Sequence, residues 1–244
     1  MARKTRKVNP YSDALIEKVK GLLLAALAIF NAIPVKALKV SISKGNRKIG
    51  RVMNVSLAPL LTCGNCSKCK YYCYDLKAVL QYTNVCEARA RNTSIWQRDP
   101  DLYFSQIRKA IKARRTRKFF RWHVSGDIPN KAYFAEMVAI ARENPDFIFW
   151  TYTKMYWLVN SYCNENGGRS AVPENLSVMF SEWDGVPVVN PYGFPQFCCK
   201  FPEGNKNHPA EYFDNIFPCP GNCDVCLDHH TGCPYGRTSY VNLH

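Results

Sequence analysis

The longest apolar run in the chain extends from Gly21 to Phe30, with a weaker continuation through Ala32, Ile33 and Val35. It is too short to cross a bilayer, which takes about 20 apolar residues. The pattern predicts a buried helix from about Ser12 to Asn31, with Ser12 as N-cap and Pro34 just beyond its end. A secretory leader is the other reading of a basic stretch followed by an apolar run. Against it, Asp13 and Glu17 stand inside the segment and no small-x-small cleavage site follows. The expectation is a cytoplasmic protein with no membrane association.

Beyond that helix, Ala37 to Ser43 reads as extended, Lys44-Gly45-Asn46 as a turn, and Ile49 to Leu57 as a strand ended by Pro59. Helices are predicted over Leu76 to Tyr82, Val85 to Trp96 and Asp101 to Arg117, the last opened by Asp99-Pro100. Strands and helices then alternate: strand Lys118 to Val124, helix Lys131 to Glu143, strand Phe147 to Tyr152, helix Met155 to Asn164, strand Leu176 to Phe180. Strands separated by helices of ten or more residues imply a parallel sheet. In such α/β folds the chemistry gathers at the carboxyl ends of the strands. Past Trp183 the periodicity fails and Pro, Gly, Asn and Cys dominate, which reads as a metal-held loop region packed onto the sheet. The chain therefore divides into a basic arm and helix (1–40), an α/β core carrying a Cys loop (41–190) and a Cys-rich metal-binding region (191–244).

Composition changes this picture in two ways. Of 244 residues, 33 are Lys or Arg against 19 Asp or Glu, a net charge of +14, with 47% hydrophobic residues. A disordered chain, a collagen and a polytopic membrane protein are excluded, and a polyanion such as nucleic acid becomes a candidate partner. The basic residues concentrate at Arg108, Lys109, Lys112, Arg114, Arg115, Arg117, Lys118 and Arg121, with Arg3, Lys4, Arg6 and Lys7 as an arm. On the expected helix Arg108, Lys112 and Arg115 share one face, either a solvated face or a stripe that tracks a phosphate backbone.

The second change comes from 12 cysteines. Cys63, Cys66, Cys69 and Cys73 form C-x2-C-x2-C-x3-C, and Cys219, Cys223, Cys226 and Cys233 form C-x3-C-x2-C-x6-C. Close spacing lets one loop wrap several thiolates around one centre, which zinc or an iron–sulfur cluster requires. The first group matches the bacterial ferredoxin run except that Tyr74 replaces the Pro after its fourth Cys. A zinc knuckle that staples the loop is the alternative. Adjacent Cys198 and Cys199 are candidate partners of the second group, since neighbours seldom both reach one metal. Cys86 and Cys163 fall in helical stretches and read as small buried residues.

Three further signatures fall at expected strand ends: His123-Val124-Ser125-Gly126-Asp127-Ile128-Pro129, then Thr151-Tyr152-Thr153-Lys154, then Ser181-Glu182-Trp183. Singly, Ser125-Gly126-Asp127 reads as a helix cap, Lys154 as a solvated side chain and His123 as structural. Their order after a Cys loop resembles the radical SAM superfamily, although its usual C-x3-C-x2-C is absent from that loop. Ser125-Gly126-Asp127-Ile128-Pro129 is similar to that superfamily's Gly-Gly-Glu-Pro motif, with Asp for Glu and one residue inserted before Pro.

The resemblance implies a partial (β/α) barrel with a Cys-rich C-terminal extension. It implies a [4Fe–4S] cluster held by Cys63, Cys69 and Cys73, with Cys66 spare, whose open iron chelates S-adenosylmethionine. With one electron from an external donor, such a centre would cleave the sulfonium C–S bond to methionine and a 5′-deoxyadenosyl radical. Ser125, Gly126 and Asp127 would hold the methionine amino group, Asp127 and Lys154 would be catalytic, and Glu182 would reach substrate or ribose. Cys219, Cys223, Cys226 and Cys233 resemble auxiliary-cluster tails and would hold a second cluster or zinc.

Over most of its length the chain also resembles the gene-product-88-like family of phages and mobile elements. The resemblance rests on Asn54-Val55-Ser56-Leu57, Thr62-Cys63, Cys69-x3-Cys73-Tyr74, His123-Val124-Ser125-Gly126-Asp127, Tyr152-Thr153-Lys154 and the Cys-rich end closing on His244. It implies that Cys63, Cys69 and Cys73 are the recurring thiols, and it brings no settled activity with it. Two expectations result: a radical-SAM-like iron–sulfur enzyme, or a phage zinc-binding module that binds nucleic acid through its basic face. A ferredoxin-like carrier fits neither the length nor the charge.

Overall fold

The computed structural model describes residues 10–66, 68–183, 185–200 and 206–242. The basic arm at Arg3 to Lys7 and the closing His244 lie outside the described residues. Helix α1 spans Asp13–Asn31, with Ser12 Oγ accepting the Leu15 amide at 3.2 Å. Its buried Ile16, Val19, Leu23 and Phe30 form one stripe at helical spacing. Among the described residues no helix is long and apolar enough to cross a membrane.

Strand β1 is Met53–Val55, followed by the Cys loop, α2 (Tyr74–Gln81), α3 (Thr83–Arg98) and α4 (Pro100–Ala113). Then come β2 (Phe119–Trp122), α5 (Lys131–Glu143), β3 (Ile148–Thr153), α6 (Tyr156–Glu165) and β4 (Leu176–Ser181). Helix α4 is capped by Asp99 as expected, and α5 by Asn130 rather than by Ser125-Gly126-Asp127. Asp99 Oδ1 accepts the Leu102 amide at 2.9 Å ahead of α4, and Asn130 Oδ1 accepts the Tyr133 amide at 2.8 Å ahead of α5.

Two sequence expectations need correction, on α4 and on the region past Trp183. The stretch at 37–43 is extended, as expected, and side chains serve its backbone until Ser43 bridges Asn54. Asn92 takes both polar groups of Ser41, and Gln106 takes the Val40 amide and the Leu38 carbonyl. Helix α4 stops at Ala113 rather than Arg117. Arg114 is extended and Arg117 has φ 50°, which turns the chain back into β2, so Arg115 is not on the α4 face. The region past Trp183 is not only loop. It contributes β5 (Gln196–Lys200), β6 (Phe217–Pro218), α7 (Cys223–Asp228) and β7 (Ser239–Asn242). Strands of two to five residues punctuated by Pro and Gly carry too short a period to read.

The seven strands among the described residues form one parallel sheet in the order β1-β2-β3-β4-β5-β7-β6. Alternation along each strand separates two layers. Phe120, Trp122, Phe149 and Phe180 pack into the main core with Phe104, Ile107, Phe134, Val138 and Val159 of the helices. On the opposite face Val52 and Trp150 are buried with Leu227 of α7, flanked by Phe119, Tyr152, Cys223 and Tyr235. The Cys-rich tail thus covers the sheet face that the helices leave.

Candidate functional site

The first Cys loop leaves the carboxyl end of β1, and Cys63, Cys66, Cys69 and Cys73 are all half-buried free thiols. Cys66 hydrogen-bonds both Cys63 and Cys69. Its bond with Cys63, aided by burial, pushes the Cys66 thiol up to about 12. Its bond with Cys66, and then burial, push the Cys69 thiol far above the ordinary thiol range. Burial first and Cys69 next push Cys73 up to about 12, while the Asp75 amide pulls the other way. Acidic groups crowded so that each opposes its neighbour's ionisation are a donor set that a metal cation or a cluster satisfies. The loop therefore fits a thiolate-bound centre.

Three strand ends converge on this loop. Lys154, after β3, receives Asn65 Nδ2 on its carbonyl at 3.2 Å and donates Nζ to Ser181 Oγ at 2.8 Å. Burial pushes the Lys154 ammonium down, but Cys69 and Asp127 outweigh it and the group stays above its ordinary value. Asp127 is buried; its Oδ1 accepts the Ile128 amide at 2.7 Å and the Thr153 hydroxyl at 2.6 Å, and its Oδ2 accepts the Lys154 amide at 2.9 Å. Burial leads the upward shift of its carboxyl, and these donors oppose it. Gly126 has φ 79°, and a Cβ there would lie 2.7 Å from Thr62 Oγ1. The Ser125 hydroxyl donates to Asp75, whose carboxylate also pairs with Arg89 at 3.3 Å. Within this motif, then, Gly126 lets the chain turn and Asp127 ties β2 to β3. A crevice of about 10 Å³ lies between Asn65, Lys68, Cys69, Lys154, Tyr156 and Trp183.

His123 faces the core: it is 3% exposed, its ring centroid is 5.1 Å from that of Tyr133, and burial lowers its pKa to about 3. It is held neutral, as a structural histidine is.

The second Cys group also converges. Cys219, Cys223 and Cys233 all lie within electrostatic range of Cys226. Burial and then Cys233 push Cys226 up to about 12, and burial pushes Cys233 up to about 11. Arg121 hydrogen-bonds Cys223, while Tyr152 and Ser239 hydrogen-bond Cys233. Donors aimed at sulfur are the outer partners a thiolate metal site carries. Gly232 lets the backbone pass close to Cys226, since a Cβ there would sit 2.8 Å from Sγ. Arg117 pairs with Asp224, and with Asp228 at 3.7 Å, which pins α7 to the start of β2.

Cys198 and Cys199 separate, as neighbours on a strand must. Cys199 faces Lys154 and Cys69 of the first loop, while Cys198 is buried against Glu182 at 3.3 Å. Sequence reasoning missed Asp75, Asn65 and His208. Asp75, two residues past Cys73 in the first turn of α2, carried the clearest local signal.

The basic stretch lies at the amino ends of β2 and β3, across the sheet from the first Cys loop. Much of it is paired: Arg108 binds Glu136 at 2.8 Å and Glu143 at 2.9 Å, and Lys118 binds Asp146 at 3.0 Å. Arg121 lies 4.7 Å from the Tyr152 ring centroid. Lys112, Arg114, Arg115 and Lys118 rim a cleft of about 400 Å³ whose other wall includes Glu143 and Asp146.

The fold and site define an α/β protein with a single parallel sheet and two four-thiol groups, one at the strand carboxyl ends and one across the face opposite the helices. The chain belongs to the gene product 88 family of phages, whose model matches residues 35–185. That span covers the first Cys loop and the ends of β1 to β4, and stops before the second Cys group. No curated relative and no solved structure matches the chain.

Proposed function

We propose that the chain is an iron–sulfur enzyme of radical-SAM-like type, its sheet a partial barrel in kind. Cys63, Cys69 and Cys73, with Cys66 beside them, would hold a [4Fe–4S] cluster, and S-adenosylmethionine would be its ligand. The observation that carries this reading is that Lys154 lines one crevice with Cys69 while its amide is held by the Asp127 carboxylate at 2.9 Å. When bound, the cluster supplies a low-potential electron, delivered by an external donor, for reductive cleavage of the sulfonium.

The chain's own residues prepare the site. Lys154 offsets the negative charge of the thiolates, and Ser181 holds its Nζ in place. Asp127 retains acceptor capacity on Oδ2 beyond the Lys154 amide, which suits the ammonium of an amino acid. Trp183, 5.5 Å from the Tyr72 ring, lines the crevice. The crevice is far smaller than S-adenosylmethionine, so the thiols, now drawn together by mutual hydrogen bonds, would spread around the cluster before the ligand enters. Cys219, Cys223, Cys226 and Cys233 would hold a second cluster or zinc. Thiolates of this kind persist in a reducing cytoplasmic compartment.

The test is anaerobic purification followed by measurement of iron, zinc, acid-labile sulfide and 5′-deoxyadenosine release from S-adenosylmethionine. Iron with matching sulfide and nucleoside release supports the proposal. Zinc without sulfide rejects it. A second reading, a zinc-stabilised phage module that binds nucleic acid, rests on the +14 charge and the basic cleft. It predicts salt-sensitive binding and no nucleoside release.

A further inference from the structure

Outside the two four-thiol groups, and next to the first of them, three unlike donors meet beside β4 and β5. Glu182 follows β4, Cys198 lies within β5, and His208 comes from the segment between β5 and β6. Their ligand atoms all lie within 4.8 Å of one another. Glu182 is 1% exposed and Cys198 fully buried. His208 Nε2 is 2.5 Å from Glu182 Oε2, and Cys198 Sγ is 3.3 Å from the same oxygen. From this geometry we propose a third metal site, for a single borderline divalent cation of the Zn²⁺ kind.

The donor chemistry selects the ion. Magnesium and calcium take oxygen ligands and iron–sulfur clusters take thiolates, whereas zinc accepts carboxylate, imidazole and thiolate together. Zinc bonds of about 2.0–2.3 Å in a tetrahedron separate neighbouring ligand atoms by roughly 3.3–3.7 Å. The present spacings reach that range by shifts of about an ångström or less.

The surroundings orient each ligand as metal sites do. Asn207 Nδ2 donates to Glu182 Oε1 at 2.9 Å, which leaves Oε2 facing the sulfur and the imidazole. The Tyr212 ring stacks on His208 at 3.7 Å with planes 5° apart, and the Tyr212 hydroxyl hydrogen-bonds Cys198. Three protein ligands leave a fourth position for water or substrate, the pattern of catalytic rather than structural zinc. The site does not depend on whether the first loop holds iron. Without a metal, the same atoms form a His–Glu pair with a thiol donor.

The experiment is zinc-edge X-ray absorption on the full chain after incubation with zinc in excess over the three candidate sites and removal of unbound metal, with spectra and metal counts also taken for Cys198→Ser and His208→Gln. The expected result is a zinc shell containing nitrogen or oxygen beside sulfur. Each variant should lose one zinc per chain while its iron, sulfide and circular dichroism are unchanged. Absence of zinc, a shell of sulfur alone, or equal zinc in wild type and variants overturns the site. Zinc on the second Cys group contributes the same sulfur shell to every sample, so the difference spectrum against His208→Gln decides the matter even where Cys198→Ser fails to fold.

Discussion

The Thr153 hydroxyl donates to Asp127 Oδ1 at 2.6 Å, joining the carboxyl end of β3 to the turn that leaves β2. The same carboxylate holds the amides of Ile128 and Lys154. Asp127→Ala strands three donors in a buried place and should lower unfolding free energy by about 3 kcal/mol or more in urea titrations. Asp127→Asn keeps one acceptor oxygen and should cost less. Under the proposed function it also retains iron while losing S-adenosylmethionine affinity. An alanine variant as stable as wild type would contradict the clamp.

Gly126 is required by its backbone rather than by any ligand contact. At φ 79°, an added Cβ would meet Thr62 Oγ1 at 2.7 Å and Leu57 Cβ at 3.0 Å. Gly126→Ala should therefore destabilise by about 1–3 kcal/mol. Adding Thr62→Ala should relieve the clash but not the backbone strain, a partial coupling that a double-mutant cycle would measure.

His123 predicts acid sensitivity. Burial lowers its pKa from 6.5 to about 3, so between those values the unfolded chain binds a proton that the folded chain refuses. Its contribution is complete above about pH 6.5 and declines as pH falls toward 3, reaching a loss of about 2 kcal/mol by pH 5. His123→Asn, which tolerates the φ of 52° there, should flatten that part of the stability profile by the same amount. An unchanged slope would mean that His123 is not the group responsible.

The two Cys groups should load independently, because one sits at the strand ends and the other against Val52, Trp150 and Leu227. Cys69→Ser should remove the metal of the first group only, and Cys226→Ser that of the second only. Inductively coupled plasma mass spectrometry on both variants checks this, and loss of all metal from either one refutes independence.

The basic stretch divides by its partners. Arg108→Ala breaks the pairs with Glu136 and Glu143 and should cost about 1 kcal/mol of stability while leaving nucleic-acid affinity unchanged. Should the chain bind nucleic acid, Lys112→Ala and Arg115→Ala should each reduce the salt dependence of log K by about 1. Equal effects from all three substitutions would remove the distinction.

Local physics made part of this protein legible. Ser12 and Asp99 mark helix starts because a cap acts within one turn, and the pattern from Lys131 to Glu143 located α5, although its cap is Asn130. Alternating strands and helices implied the parallel sheet, and the tight Cys spacings implied that each group would converge. Other features depended on strand order, which brings distant residues together. The Cys-rich tail became three strands because β5, β6 and β7 find partners across the chain. Cys198 and Cys199 parted company only once β5 imposed its alternation. Arg108 lost its freedom to Glu136 and Glu143 on α5, and Glu182 met His208 across 26 residues. Caps and periodicity are encoded within a few residues, whereas charge partners and mixed-donor sites exist only where the folded sheet places them.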